Sequence, residues 1–177
     1  MSGERDNIVI ESGSVEQTMA VGTAVAEVAR PGDLVALIGE LGAGKTQFVR
    51  GMAAGLNIEP MRVSSPTFVF LQEYDPVDSA GGSMVLAHVD AYRLAGTDDL
   101  ASIGWEGDAE ELRRGAVLVV EWADRIAGAL GEDWLEVRLV HNGDGRTITT
   151  SPHGKWADRM PVLRSRLEAI NQVQSSE

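Results

Sequence analysis

The stretch Asp33-Leu34-Val35-Ala36-Leu37-Ile38-Gly39-Glu40-Leu41-Gly42-Ala43-Gly44-Lys45-Thr46 decides the fold. Its first six residues form a short leucine-rich, β-branched run that reads as a buried strand. Gly39 to Thr46 then match Gly-x-x-x-x-Gly-Lys-Thr. The following spacing predicts a helix from Lys45 to Leu56 with Phe48, Val49, Met52 and Ala53 on its inward face. Strand, glycine loop and helix start, in that order, are what phosphate binding requires. The glycines let backbone N–H groups curl around phosphate oxygens, and the helix N-terminus adds unpaired donors and partial positive charge. Lys45 is expected to reach the β- and γ-phosphates, and the Thr46 hydroxyl to ligate Mg²⁺.

Upstream of the loop, Ser14-Val15-Glu16-Gln17 has the form of a capping box. It opens a helix to about Ala29, with Met19, Val21, Val25 and Val28 expected inside, and Pro31-Gly32 stops it. Downstream, Val63 to Thr67 is a polar break. Phe68 to Tyr74 and Met84 to Tyr92 read as a β-hairpin lying beside the parallel strands. Thr97 to Ile103 and Asp108 to Arg114 are expected as short helices. Ala116 to Val120 is the strongest buried-strand run and ends at Glu121-Trp122, with a helix expected from Ala123 to Leu130. Trp134 to Val140 and Arg146 to Thr150 flank the turn Asn142-Gly143-Asp144-Gly145 as a second hairpin. A last helix, about 155–171, carries Trp156, Met160, Leu163, Leu167 and Ile170, with Pro161 kinking or restarting it, and 172–177 is a polar tail. The fold class expected is α/β: one phosphate-loop domain over residues 1–177, with a mostly parallel central sheet, helices on both faces and antiparallel hairpins.

Bulk properties narrow the function classes. The 177 residues suit one domain, and 44% hydrophobic content supports a single core. No 18-residue apolar run or secretory h-region is visible, and cysteine is absent, which fits a cytoplasmic protein away from membranes. The net charge of −12 argues against a stand-alone nucleic-acid binder. Lys45 is one of only two lysines, the other being Lys155.

Three further positions carry chemistry. Glu121 ends a buried strand, where open α/β sheets bind ligands, and so could hold Mg²⁺; the ordinary alternative is a strand-end acid with no ligand. In His88-Val89-Asp90-Ala91-Tyr92-Arg93, strand alternation puts His88, Asp90 and Tyr92 on one face. Asp90 there could orient or deprotonate an attacking water, or join the Mg²⁺ shell, with His88 holding it by a hydrogen bond; a merely solvated edge is the competing reading. Ser64-Ser65-Pro66-Thr67-Phe68 follows the phosphate-loop helix, where a threonine can sense the γ-phosphate, although a plain proline turn also explains it. Trp122 is either core packing or site wall. His141 and His153 read as surface residues.

Taken in series, Gly39 to Thr46, Ser65-Pro66-Thr67-Phe68, His88 to Arg93 and Val120-Glu121-Trp122 resemble the bacterial TsaE family, ATPases of tRNA N6-threonylcarbamoyladenosine (t6A) biosynthesis. The resemblance covers roughly residues 14 to 150. It implies an Mg²⁺-dependent ATPase that works with a TsaD–TsaB heterodimer in t6A formation. It also implies that the ATPase does not itself transfer the threonylcarbamoyl group and meets tRNA only through its partners. By match, the ATP-binding set is Gly39, Glu40, Leu41, Gly42, Ala43, Gly44, Lys45, Thr46 and Gln47, with Ser14 and Val15 near the base and Arg146 approaching the nucleotide. Thr46 and Glu121 are implied as metal ligands, and Asp90, Glu121 and Thr67 as catalytic or switch residues. Glu40 and Gln47 depart mildly from the family's commoner Asp and Thr, and nothing from Pro152 onward matches a family motif. Two other function classes stay open: a small-molecule kinase, with Arg113-Arg114 as lid residues, and a nucleotide-dependent binding module without significant hydrolysis.

Overall fold

The computed structural model describes residues 6–65, 71–78, 84–96, 99 and 115–174, with side chains to residue 170. Its strands are β1 (Ile8–Ser12), β2 (Leu34–Ile38), β3 (Leu71–Tyr74), β4 (Val85–Asp90), β5 (Ala116–Glu121), β6 (Trp134–Asn142) and β7 (Gly145–His153). Its α-helices are α1 (Val15–Val28), α2 (Lys45–Gly55) and α3 (Met160–Gln174). The strands form one sheet in the order β1-β7-β6-β2-β5-β4-β3. The central four, β6, β2, β5 and β4, are mutually parallel, while β3/β4 and β6/β7 are antiparallel pairs and β1 closes one edge against β7. This mixed α/β sheet is the phosphate-loop nucleoside triphosphatase fold, with the parallel centre and both hairpins that the sequence predicts.

Side-chain alternation along the strands decides where the chemistry falls. In β2, Val35 and Leu37 share one core with α1 and α2, and Leu34 and Ala36 belong to the other. In β5, Val117 and Val119 face the α-helices, and continuing that parity puts Glu121 on the same side. In β4, Leu86 faces them too, so His88 and Asp90 follow. The ends of two parallel strands therefore deliver Glu121 and Asp90, paired in register, to the edge where α2 begins.

All three described α-helices contribute to that one core. Among the described residues the opposite face is covered by Ala91, Leu94 and the segment after β5. The short helices expected over 97–114 lie outside the described residues. The helix expected from Ala123 to Leu130 is a 3-10 helix, Ala123–Ala129, broken at Ile126 (φ −124°). Its inward residues, Ala123 and Ile126, are three apart, the spacing that a 3-10 turn stacks on one face.

Helices α1 and α2 lie unusually close. A Cβ on Gly51 would sit 1.9 Å from the Met19 carbonyl oxygen, and one on Gly22 would sit 2.2 Å from that of Phe48. The Thr23 hydroxyl donates to the Gly51 carbonyl at 2.9 Å across the same contact. Phe48, Val49, Met52 and Ala53 are fully buried, as the pattern predicts. In α1, Val21 and Val25 are buried but Met19 and Val28 are only half-buried, because Gly22, Ala24 and Ala26 take the close-packed positions. At the C-terminal end, Pro161 occupies the first turn of α3, so it restarts the helix after a 3-10 turn, Gly154–Arg159. Arg159, itself nearly buried, clamps both carboxylate oxygens of Asp33, one at 2.8 Å, and ties this segment to the entry of β2.

Candidate functional site

The phosphate loop is shaped by its glycines. Gly44, the N-cap of α2, has φ of 104°, which an L side chain rarely adopts, and a Cβ on Gly39 would lie 2.6 Å from the Leu139 carbonyl oxygen. Gly44 offers no side-chain cap, so the first N–H groups of α2 stay available to an anion. A guanidinium holds the loop from outside. Arg146 Nε donates to the Ala43 carbonyl and Nη2 to the Gly42 carbonyl, each at 3.0 Å. In a trans peptide the N–H points opposite to the preceding carbonyl. With the Ala43 carbonyl drawn to Arg146, the Gly44 N–H is aimed away from that guanidinium.

Two cavities meet along this loop and share Gly42, Gly44 and Gln47. The larger, about 560 Å³, is lined by Lys45, Thr46, Asp90, Glu121 and Trp122, with Ser65, Tyr92 and Leu41 at its walls. The smaller, about 420 Å³, is bounded by Ser12 to Val15, Thr18 and Asp144 to Arg146. Each lies in the size range of small-molecule sites. The first collects the groups expected around a triphosphate, and the second collects Ser14, Val15 and Arg146. Ser14 also caps α1, accepting from the Gln17 N–H at 3.2 Å, while the Gln17 side chain turns back to the Gly13 N–H. Glu40 is exposed at the loop's start, and Leu41 is 84% exposed at its tip.

Lys45 is 5% exposed. Its ammonium donates to the carbonyls of Gly39 at 2.6 Å and Glu40 at 2.9 Å, and lies 3.9 Å from the centre of the Trp122 ring. Burial lowers its pKa from the ordinary lysine value, against the opposing pull of the carboxylates of Glu121, Asp90 and Asp124. Trp122 reaches this place through a left-handed backbone (φ 59°), a conformation that costs a bulky residue about 1–3 kcal/mol. Its indole also packs on Tyr92, ring centres 4.9 Å apart. Trp122 is therefore site wall.

Glu121 is 3% exposed and accepts from the Thr46 hydroxyl at 3.1 Å. A hydroxyl and a carboxylate side by side, both lining the cavity at the N-terminus of α2, form a donor set that fits Mg²⁺. That ion uses one or two protein oxygens and fills its shell with phosphates and water. No cluster of three or more His, Cys, Asp or Glu among the described residues forms an all-protein cage. Asp90 sits in the same cavity, accepting from the Tyr92 N–H at 2.8 Å and the Ser65 hydroxyl at 3.2 Å.

Against that geometry, a family model described as threonylcarbamoyl adenosine biosynthesis protein TsaE matches residues 12–148, which contain every candidate site residue from Ser14 to Arg146. The chain belongs to the TsaE family. The protein of that family from Treponema pallidum is 39% identical over 142 residues, covering 79% of this chain and 97% of its own. The one from Bacillus subtilis is 37% identical over 157 residues, covering 88% and 92% respectively. Both carry the name tRNA threonylcarbamoyladenosine biosynthesis protein TsaE. The crystal structure of Bacillus subtilis YdiB superposes with a TM-score of 0.68 at 28% identity, covering 97% of this chain and 99% of that one. The TsaE-family match stops before α3, consistent with the lack of any family motif beyond Pro152.

Thr67 and its neighbours lie outside the described residues. His88 does not hold Asp90, as its place on the same face suggests; its ring reaches Glu121 instead. The register explains why. Asp90 is directly opposite Glu121 and His88 is opposite Val119, so the long glutamate side chain folds back one step along the sheet to meet the imidazole. Reading the sequence alone also missed Ser12 and Thr18, whose hydroxyls pair at 2.8 Å beneath the smaller cavity. The signal for Ser12 was the unread strand β1, with Ile8 and Ile10 inward and Val9 outward, while Thr18 lies in the first turn of α1.

Proposed function

We propose that this TsaE-family chain is an Mg²⁺-dependent ATPase that supports t6A formation on tRNA alongside a TsaD–TsaB complex in the cytoplasm, without transferring the threonylcarbamoyl group itself. The observation that carries the proposal is the contact between Thr46, at the first turn of the phosphate-loop helix, and Glu121, at the end of the adjacent buried strand. In this reading the loop N–H groups and Lys45 bind the β- and γ-phosphates, and Thr46 and Glu121 hold Mg²⁺. Bound there, Mg²⁺ neutralises charge on the phosphate oxygens. Asp90 orients a water within the same cavity; the water oxygen bonds to the γ-phosphorus as that phosphorus's bond to the bridging oxygen of ADP breaks, the water's protons go to the phosphate oxygens or to solvent, and ADP and inorganic phosphate leave. Ser12 to Val15 and Thr18 border the nucleoside.

The partner assignment draws on the family's place in t6A biosynthesis and on charge. A chain of net charge −12 is a poor direct ligand for tRNA, so contact through basic partners fits it better. No helix among the described residues is long and apolar enough to cross a membrane.

The test is Mg²⁺-dependent ATP hydrolysis by the purified chain, alone and with its cognate TsaD–TsaB pair, followed by a t6A assay. A slow basal rate that rises with the pair, together with repeated rounds of t6A formation, is expected. ATP hydrolysis indifferent to the pair, or ATP consumed only when a metabolite accepts its phosphate, would overturn the reading in favour of a stand-alone enzyme or kinase.

A further inference from the structure

His88 has no part in the chemistry above, yet it is 0% exposed at the centre of the site's support. It lies within β4, and its Nε2 is 2.9 Å from Glu121 Oε1. A carboxylate oxygen only accepts, so Nε2 carries the proton and donates. His88 Nδ1 is buried with no hydrogen-bond partner among the described residues, which suits a bare nitrogen better than a second N–H. The oxygen that His88 engages is also the one that Thr46 engages. Both donors thus converge on Oε1, and Oε2 has no hydrogen bond among the described residues.

We infer that His88 is a positioning residue for the divalent-cation site: by fixing Oε1 of Glu121, it presents Oε2 to the hydrated cation. The inference rests on the ATPase reading above. A glutamate left to itself samples several rotamers, and ordering it costs conformational entropy at the moment of binding. The Thr46 hydroxyl cannot be the lasting restraint, because it sits on the first turn of a helix at the loop and is itself a cation ligand in this reading. The imidazole is different. It is rigid, strand-borne and wholly enclosed, so its hold on Oε1 persists while Thr46 changes partner. Outer donors of this kind orient metal ligands, and their loss typically weakens metal affinity or activity by about 10–100-fold.

The experiment compares wild type with His88→Leu, which removes the donor, and His88→Gln, whose amide can restore an N–H toward Glu121. Binding of a fluorescent ADP analogue is measured with Mg²⁺ titrated in, and again with the ion chelated. Mg²⁺ activation of hydrolysis is recorded alongside. His88→Leu is expected to raise the Mg²⁺ concentration for half-maximal effect by about tenfold or more, with Mg²⁺-free nucleotide affinity unchanged and His88→Gln recovering most of the loss. A His88→Leu chain that responds to Mg²⁺ as wild type does, or a glutamine variant as impaired as the leucine one, overturns the inference. A purely packing role would lower the melting temperature and leave the Mg²⁺ response alone. Should the leucine variant not fold, the wild-type imidazole is followed by ¹⁵N–¹H correlation spectra. An Nε2-protonated ring that shifts when Mg²⁺ joins bound ADP is expected, and a resonance indifferent to Mg²⁺ refutes the role. A wild-type chain whose nucleotide binding ignores Mg²⁺ sinks the ATPase reading itself, and is distinguishable from every outcome in which only the variants misbehave.

Discussion

Arg146→Ala removes a support that grips the phosphate loop by its carbonyls. The guanidinium makes two hydrogen bonds to the loop, to the carbonyls of Gly42 and Ala43 at 3.0 Å each. A bond with one charged partner contributes about 1.5–3 kcal/mol when well buried. Arg146 is only half-buried, so about 1 kcal/mol each after screening is the appropriate scale. Losing about 2 kcal/mol of bias toward the binding-competent loop reduces its population, and apparent affinity falls with that fraction. The ceiling is about thirtyfold, and the remaining restraints from Lys45 and the α2 N-terminus bring the expected loss to about five- to thirtyfold. Isothermal titration with ADP and, separately, with inorganic pyrophosphate separates the two ways Arg146 can act. A brace on the loop weakens both ligands by the same factor. A direct contact with the nucleoside weakens ADP alone. Wild-type affinity of Arg146→Ala for pyrophosphate would refute the brace, whatever happens to ADP. Arg146→Lys, with one ammonium in place of a fork, is expected to recover only part of the effect.

Glu121→Gln preserves an acceptor for Thr46 and His88 but removes the charge; Mg²⁺ activation of hydrolysis should weaken by about tenfold or more, with Mg²⁺-free nucleotide binding little changed. A rate curve superimposable on the wild type would take Glu121 out of the metal shell. Lys45→Met should abolish nucleotide binding and also alter the pH dependence of stability. The folded-state pKa of Lys45 lies below its ordinary 10.5, so between those two values the unfolded chain binds the extra proton and stability rises with pH. Below that window the buried ammonium imposes its full cost. Denaturant unfolding from pH 8 to 10.5 should show a component of rising stability in the wild type that Lys45→Met lacks; identical slopes would contradict the burial of the charge. Gly51→Ala forces a methyl group against the Met19 carbonyl, 1.9 Å away, which outweighs the gain of about 1 kcal/mol in helix propensity. The net loss expected is about 2 kcal/mol, or roughly 4–8 °C in melting temperature for a domain of this size. A Gly51→Ala chain as stable as wild type would mean that the helices separate freely there.

The phosphate loop, its flanking strand and helix, and both hairpins were legible because each rests on a local rule: glycine spacing, hydrophobic period or turn chemistry. Glu121 was legible for a less local reason, as the polar terminus of the most apolar strand. What escaped depends on pairing between distant segments. β1 is five residues long and acquires its meaning only from β7, more than a hundred residues away, and an exposed Val9 blurs its alternation. The partnership of His88 with Glu121 required knowing that β4 and β5 are adjacent, parallel and in a particular register. The 3-10 segment 123–129 is preceded by Trp122 in a left-handed backbone and broken at Ile126, features that propensity does not reveal. Arg146 was expected to approach the nucleotide, but its grip on the loop's carbonyls was not legible, because that contact spans 103 residues of sequence.

The placement of Trp122 gives the chain an optical reporter of its own. Indole emission responds to nearby charge, and the Lys45 ammonium lies directly over this ring. Trp134 is stacked on His153 and Trp156 is enclosed beside Arg159, both away from the phosphate loop. Anything that draws the ammonium off the indole therefore changes the light emitted by Trp122 while those two indoles stay constant; the fourth tryptophan, Trp105, lies outside the described residues. An unlabelled sample mixed rapidly with nucleotide tests whether this signal follows loop occupancy, and substituting Trp105, Trp134 and Trp156 would leave Trp122 as the sole indole.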